Sequence, residues 1–97
     1  VDVLILRTLA PAPLRGYGIS RWLRERTGGV LHLKDAALYL ALRRLERKGW
    51  IENNHRARYY RLTASGRREL AAGTSAWRGF AGAVFRVLEP APEGSRI

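Results

Sequence analysis

The stretch DAALYLALRRLERKGWIENNHRARYYR, Asp35 to Arg61, decides the fold. Its first half has a helical period. At about 100° per residue, Leu38, Ala41, Leu42 and Leu45 fall on one side. Ala36, Tyr39, Leu40, Arg43 and Arg47 fall on the other, with Arg44 near the edge. One face is fit to rest on a core. The opposite face is small or aromatic at its start and cationic further along, as suits a helix whose front enters a DNA groove. A solvated amphipathic helix would carry similar charge. The residues that follow favour the groove, because they add a second cationic element. Trp50-Ile51-Glu52 reads as a strand, Asn53-Asn54 as a turn, and Arg58-Tyr59-Tyr60-Arg61-Leu62 as the returning strand, rich in β-formers.

The charge agrees. The chain holds 18 Lys+Arg against 8 Asp+Glu, a net +10. Residues 43 to 61 contain seven cations and two acids, so half of the net charge lies in 19 residues. Such clustering marks a polyanion footprint rather than general solubility. Ninety-seven residues make one domain, or one domain with a helical extension. The core of so short a chain is modest, which leaves room for a partner subunit to add stability. Cysteine is absent, which excludes disulfides and thiolate metal sites and allows a reducing compartment. No apolar run approaches the roughly 18 residues of a transmembrane helix. Val-Asp-Val-Leu-Ile-Leu-Arg lacks the layout of a signal peptide, so a cytoplasmic location is expected.

Working outward, Asp2 is the expected N-cap of a first helix with Val1, Leu4, Ile5 and Leu9 on one face. Pro11 and Pro13 end it. A second helix starts near Leu14 to Tyr17 and runs to Arg26, with Ile19, Trp22, Leu23 and Arg26 on one side. Gly16 and Gly18 predict a place where another backbone packs closely. Val30 to Leu33 reads as a short strand at the edge of the hairpin. The third helix runs from Asp35, as N-cap, to Lys48, with Gly49 as its C′ residue. Thr63 caps a fourth helix reaching Leu88, about 37 Å at 1.5 Å per residue. Its apolar stripe of Trp77, Phe80, Ala81, Val84, Phe85 and Leu88 is more than so small a domain can cover, and predicts a dimer interface. Pro90 to Ile97 is expected to be a polar, frayed tail.

The fold class is therefore mainly α with a small β wing. Residues 1–62 form a winged helix-turn-helix domain, and 63–97 a long C-terminal dimerisation helix and tail. The hairpin is the wing, and helices two and three are the helix-turn-helix pair.

The residues resemble the PadR-like family of transcriptional regulators. The matching pieces are Leu4-Ile5-Leu6 with Leu9, Gly16-Tyr17-Gly18-Ile19, Leu38-Tyr39 with Ala41-Leu42, Arg44-Leu45-Glu46 and Gly49-Trp50-Ile51. The most specific is Arg58-Tyr59-Tyr60-Arg61-Leu62-Thr63 with Gly66. The resemblance covers about residues 3 to 70. It implies a homodimeric repressor on a pseudo-palindromic operator, often released by a small molecule. It also implies that Tyr39 approaches DNA, that Tyr59-Tyr60 positions the wing, and that the last helix packs on the partner subunit. Ala37 and Leu40 depart from the family's usual polar residue and proline. The wing is shorter than usual: either it is truncated, or, as we favour, a tip is missing between Ile51 and Asn53.

Among the DNA candidates, Arg43 and Arg47 suit base edges, since a guanidinium can bond guanine O6 and N7 together. Arg44 sits at the edge of that face. Arg56 and Arg58 suit phosphate or the minor groove, and Lys34 a phosphate near the helix N-terminus. Ala36, Tyr39 and Leu40 complete the front, Leu40 being placed to touch a thymine methyl or pack on the wing. Partners are thus double-stranded DNA, a second copy of the chain, and an effector of unstated identity for which Trp22, Trp50 and Trp77 offer aromatic walls. No catalytic or metal-binding set is legible. His32 and His55 lack ligand spacing, and no nucleophile-elbow, P-loop or dinucleotide motif occurs. No cofactor is expected. The alternatives are a nonspecific or architectural DNA binder, and a winged helix that binds an acidic protein.

Overall fold

The computed structural model describes residues 1–89; the tail expected from Pro90 onward lies outside them. In chain order the elements are α1 (Asp2–Thr8), α2 (Gly16–Arg26), α3 (Asp35–Arg47), β1 (Ile51–Asn54), β2 (Tyr59–Leu62) and α4 (Ala64–Leu88). The two strands pair antiparallel, with Ile51 opposite Leu62 and Asn54 opposite Tyr59.

One core joins the first five elements. Ile5, Leu6 and Leu9 meet Ile19 and Leu23 of α2, the predicted stripe Leu38, Ala41, Leu42 and Leu45 of α3, and Ile51, Tyr60 and Leu62 of the wing. Trp22, Leu31, Leu33, Trp50 and Leu70 pack around it. On α1 the buried face differs from expectation: Val1 and Leu4 are exposed, while Leu6 and Thr8 are buried. The helix contacts both α2 and α4, so it buries its flanks as well as one stripe. The Thr8 hydroxyl is accommodated there by donating to the Ile5 carbonyl at 2.7 Å.

Three local expectations are corrected. Asp2 and Asp35 are the first helical residues rather than N-caps; Val1 and Lys34 hold the cap positions, with no side-chain cap bond at either. Val30 to Leu33 forms no strand. Thr27 instead accepts from the Leu31 N–H at 2.9 Å, and Ser20 donates to the Leu33 carbonyl at 3.2 Å. The extra pairing on the wing comes from Leu14, whose N–H and carbonyl both bond Tyr60, at 3.1 and 2.8 Å. Finally, Asn53 and Asn54 belong to β1, and the turn is His55 to Arg58. The Asn54 carboxamide oxygen accepts from the N–H groups of Arg56 and Ala57, both at 3.1 Å, which folds the turn on itself. Arg58 completes it at φ 61°, a left-handed conformation uncommon outside glycine. The wing thus closes through a four-residue turn.

Helix α3 ends as its sequence predicts. Gly49 has φ 76°, its N–H bonds Glu46, and the Trp50 N–H bonds Leu45, which satisfies two carbonyls of the last turn of the helix. Thr63 caps α4 by accepting from the Gly66 N–H at 3.0 Å. Gly66 itself lies against the Trp50 carbonyl. A Cβ there would stand 2.0 Å from that oxygen, so the position admits no side chain. An ion pair between Asp2 and Arg44 ties α1 to α3. Its charge-assisted hydrogen bonds to Arg44 hold the Asp2 carboxyl below its ordinary range.

Gly66→Ala should destabilise the fold by at least about 1–3 kcal/mol, the cost of overpacking a filled site. Thr63→Ala should cost about 1 kcal/mol through the lost cap. Urea unfolding measures both. For Asp2 the sign follows from the depressed pKa. Its contribution is complete above the unfolded carboxylate pKa and disappears as pH falls through the lower folded value. The wild-type urea midpoint should therefore fall more steeply than that of Asp2→Asn across the acid range.

Candidate nucleic-acid interface

The front of α3 is open because the back is committed to the core. Tyr39 is 45% and Leu40 62% exposed, and Lys34, Ala36, Arg43 and Arg47 are exposed beside them. Leu40, Arg43 and Arg47 line a shallow concavity of about 380 Å³ in which Glu46 also stands. That carboxylate partly offsets the two guanidinium charges. Arg44 lies apart from this group, with its guanidinium bonded to Asp2 on α1.

The wing adds Arg56 and Arg58, both exposed in the turn. Arg61 is engaged across the strands with its partner Glu52. Tyr60 is the buried side of β2 and Tyr59 the exposed side. Burial raises the Tyr60 phenol above its ordinary pKa.

A second opening lies between the wing and the start of α2. It measures about 510 Å³ and brings together Arg15, Tyr17, Tyr39, Asn53, His55 and Arg58. Two of these came only from the folded chain. Arg15 and Tyr17 precede α3 by some twenty residues, and no local pattern associates them with it. Gly16 explains the arrangement. Its own Cβ, were there one, would stand 2.8 Å from the Tyr39 hydroxyl, so the ring lies directly on the glycine. The close approach expected at the glycines is therefore by a side chain, not by another backbone.

On α4, Trp77, Phe80, Phe85 and Leu88 are between 53% and 70% exposed, and Ala81 and Val84 are half-buried. Trp77 and Phe80 meet edge to face, their centroids 5.9 Å apart. Val87, which the predicted stripe omits, is also exposed. The three tryptophans do not converge. Trp22 lies under Arg26 and Trp50 under Lys48, each cation 4.6 Å from its ring centroid, and Trp77 is on α4. Among the described residues no group of three or more His, Cys, Asp or Glu could hold a metal ion, and no helix is long and apolar enough to cross a membrane.

This arrangement occurs in known proteins. A transcriptional regulator from Clostridium thermocellum superposes with a TM-score of 0.82 at 29% identity, over 92% of this chain and 93% of the other. A PadR family transcription regulator from Clostridium difficile R20291 superposes at 0.77, with 31% identity over 91% and 97%. Bacillus subtilis PadR in complex with p-coumaric acid matches at 0.63 and 26% identity, over 99% of this chain but 50% of that longer one. An uncharacterised protein of Lysinibacillus sphaericus is 31% identical over 84 residues, 79% of this chain and 77% of its own. The model of the transcriptional regulator PadR-like family matches residues 5–72, most of the winged helix and the first turns of α4. With an open cationic helix, a closed wing and this family match together, the chain belongs to the PadR-like family of transcriptional regulators.

Proposed function

We propose that the chain is a homodimeric repressor that reads a pseudo-palindromic operator, acting in the cytoplasm. Residues 1–62 bind DNA and the helix from 63 onward joins two copies. The observation that carries this reading is that Tyr39 on α3 and the wing turn open onto one cleft, while Arg43 and Arg47 of the same helix line an open concavity of their own. A helix in the major groove would leave the wing beside the backbone. Arg43 and Arg47 then address base edges, and Ala36, Tyr39 and Leu40 fill the groove between them. Lys34, Arg56 and Arg58 meet phosphates, and Arg44 contributes after leaving Asp2 or through its charge alone. The exposed Trp77–Phe80 pair and the residues one and two turns on support α4 as the dimer contact, because exposed aromatics of this kind are where interface energy concentrates. The p-coumaric acid complex of the Bacillus subtilis relative supports a small-molecule effector for this chain too.

Selection from random DNA should return two symmetric half-sites about one helical turn, roughly 34 Å, apart. Arg43→Ala with Arg47→Ala should lower affinity for that site at least about tenfold and relax preference at a guanine. Equal affinity for selected and scrambled duplexes, both falling with salt, would instead identify a nonspecific binder. No DNA binding at all would favour an acidic protein partner. Trp77→Asp combined with Phe80→Asp should give a folded monomer by sedimentation and circular dichroism. A wild-type chain that is already a folded monomer at micromolar concentration would sink the dimer.

A further inference from the structure

α3 carries three arginines on or beside its open front, and one of them is withdrawn. Arg43 and Arg47 line the concavity described above and have no ion pair among the described residues. Arg44 stands about 60° round the helix from Arg47 and is exposed as they are. Its guanidinium is nevertheless bonded to Asp2, in the first turn of α1 and 42 residues earlier in the chain. Nε donates to Oδ2 at 3.2 Å and Nη2 donates to Oδ1, so both carboxylate oxygens are engaged.

This pair adds little to stability. The Arg44 side chain is 44% and that of Asp2 28% exposed, and solvent screens an ion pair so placed. Ile5 and Leu6 of α1 and Leu42 of α3, all fully buried, belong to one core without it. What the pair controls is which donors α3 offers. A guanidinium grips guanine O6 and N7, or two phosphate oxygens, with the same two-pronged edge that Asp2 occupies here. That edge cannot serve a base at the same time. Nor does Asp2 travel with Arg44, because α1 is fixed from behind. The adjacent Val3 packs on Gly73 of α4, where a Cβ would stand 2.4 Å from a Val3 methyl. The next cation on this flank, Lys48, is occupied as well, over the Trp50 ring.

We propose that Asp2 is a specificity-determining residue: by holding Arg44 it keeps a third arginine from reading a base, and leaves guanine edges to Arg43 and Arg47. Asp2 itself touches no DNA. The inference rests on the DNA-binding reading and settles how Arg44 takes part in it, through its charge alone. A bidentate arginine–guanine contact discriminates against other bases by roughly five- to 150-fold. Freed from Asp2, Arg44 imposes such a preference at one further position of each half-site.

The test selects bound sites from random DNA with the full chain as wild type, Asp2→Asn, Arg44→Gln and the double variant. Asp2→Asn removes the charge at nearly constant size. It should return the wild-type half-site with one additional guanine, preferred at least about fivefold over other bases. Asp2→Ala, which leaves no acceptor at all, should do the same. Arg44→Gln and Asp2→Asn/Arg44→Gln should both return the wild-type half-site, since the added preference needs a free Arg44. Circular dichroism confirms that the variants fold. A base preference lost in Arg44→Gln would overturn the proposal, because Arg44 would then already read a base in the wild type. An unchanged half-site from both Asp2 variants would overturn it too. A salt slope steeper by about one would in that case assign the freed arginine to phosphate, and a wild-type slope would leave Asp2 a surface ion-pair partner only. Failure of the wild type to select any sequence would instead overturn the sequence-reading function on which the proposal rests.

Discussion

The carbonyls of Gly49 and Trp50 hold the three working parts of this molecule together. They stand where α3 ends and β1 begins. The hydroxyls of Thr63 and Ser65 donate to the Gly49 carbonyl at 2.7 and 2.8 Å, and the Thr63 N–H donates to the Trp50 carbonyl at 3.1 Å. Thr63 also caps α4. The end of α3, the base of the wing and the start of the long helix are thus joined through two peptide oxygens. A helix terminus leaves carbonyls in need of donors, and these are met by the chain that must be positioned. Gly66 is the steric counterpart, since only a residue without Cβ lets α4 begin so near Trp50.

The second constraint is electrostatic. A net charge of +10 on so small a chain repels itself, and the fold distributes that charge unevenly. Arg44, Arg61 and Arg21 are each neutralised by a carboxylate, from Asp2, Glu52 and Glu25. Arg15, Arg26 and Lys48 lie over aromatic rings. Arg43, Arg47, Arg56 and Arg58 have no such ion pair among the described residues. Charge without an ion pair therefore stands on the outward side of α3 and in the wing turn.

The third feature is length. α4 has 25 residues, yet α1 is its main contact within the chain. The molecule measures 62 × 28 × 21 Å as a result. The part of the helix beyond that contact carries the exposed aromatics. Such a surface in water is unfavourable in proportion to its apolar area, so the same residues that lengthen the helix demand a cover.

Much of the fold is determined by sequence alone. The 3.6-residue period of Leu38, Ala41, Leu42 and Leu45 reports which side of α3 is buried, because burial selects apolar residues locally. Gly49 as terminator, Thr63 as cap and the extent of α4 are equally local, since each depends on neighbours within four residues. The Tyr59-Tyr60 segment, with its β-formers, identifies the wing strand. Expectation and structure part where local propensity competes with distant partners. Val30 to Leu33 has strand composition, but the wing takes Leu14 as its extra partner, and no pattern within either segment encodes that choice. The period of α1 puts Leu4 inside and leaves Leu6 out, whereas packing from two directions reverses the pair. The site divides in the same way. Arg43 and Arg47 are legible as one face of one helix. That Arg44 turns to Asp2, 42 residues earlier, and that Arg15 joins Arg58 across one cleft, depends on how separate elements dock. The stretch from Asp35 to Arg61 thus specifies by itself a helix with an open cationic front and a strand to follow it. Which cations remain open, and what stands opposite them, only the packing of α1, α2 and the wing decides, because charges separated in the chain meet only after the core has formed.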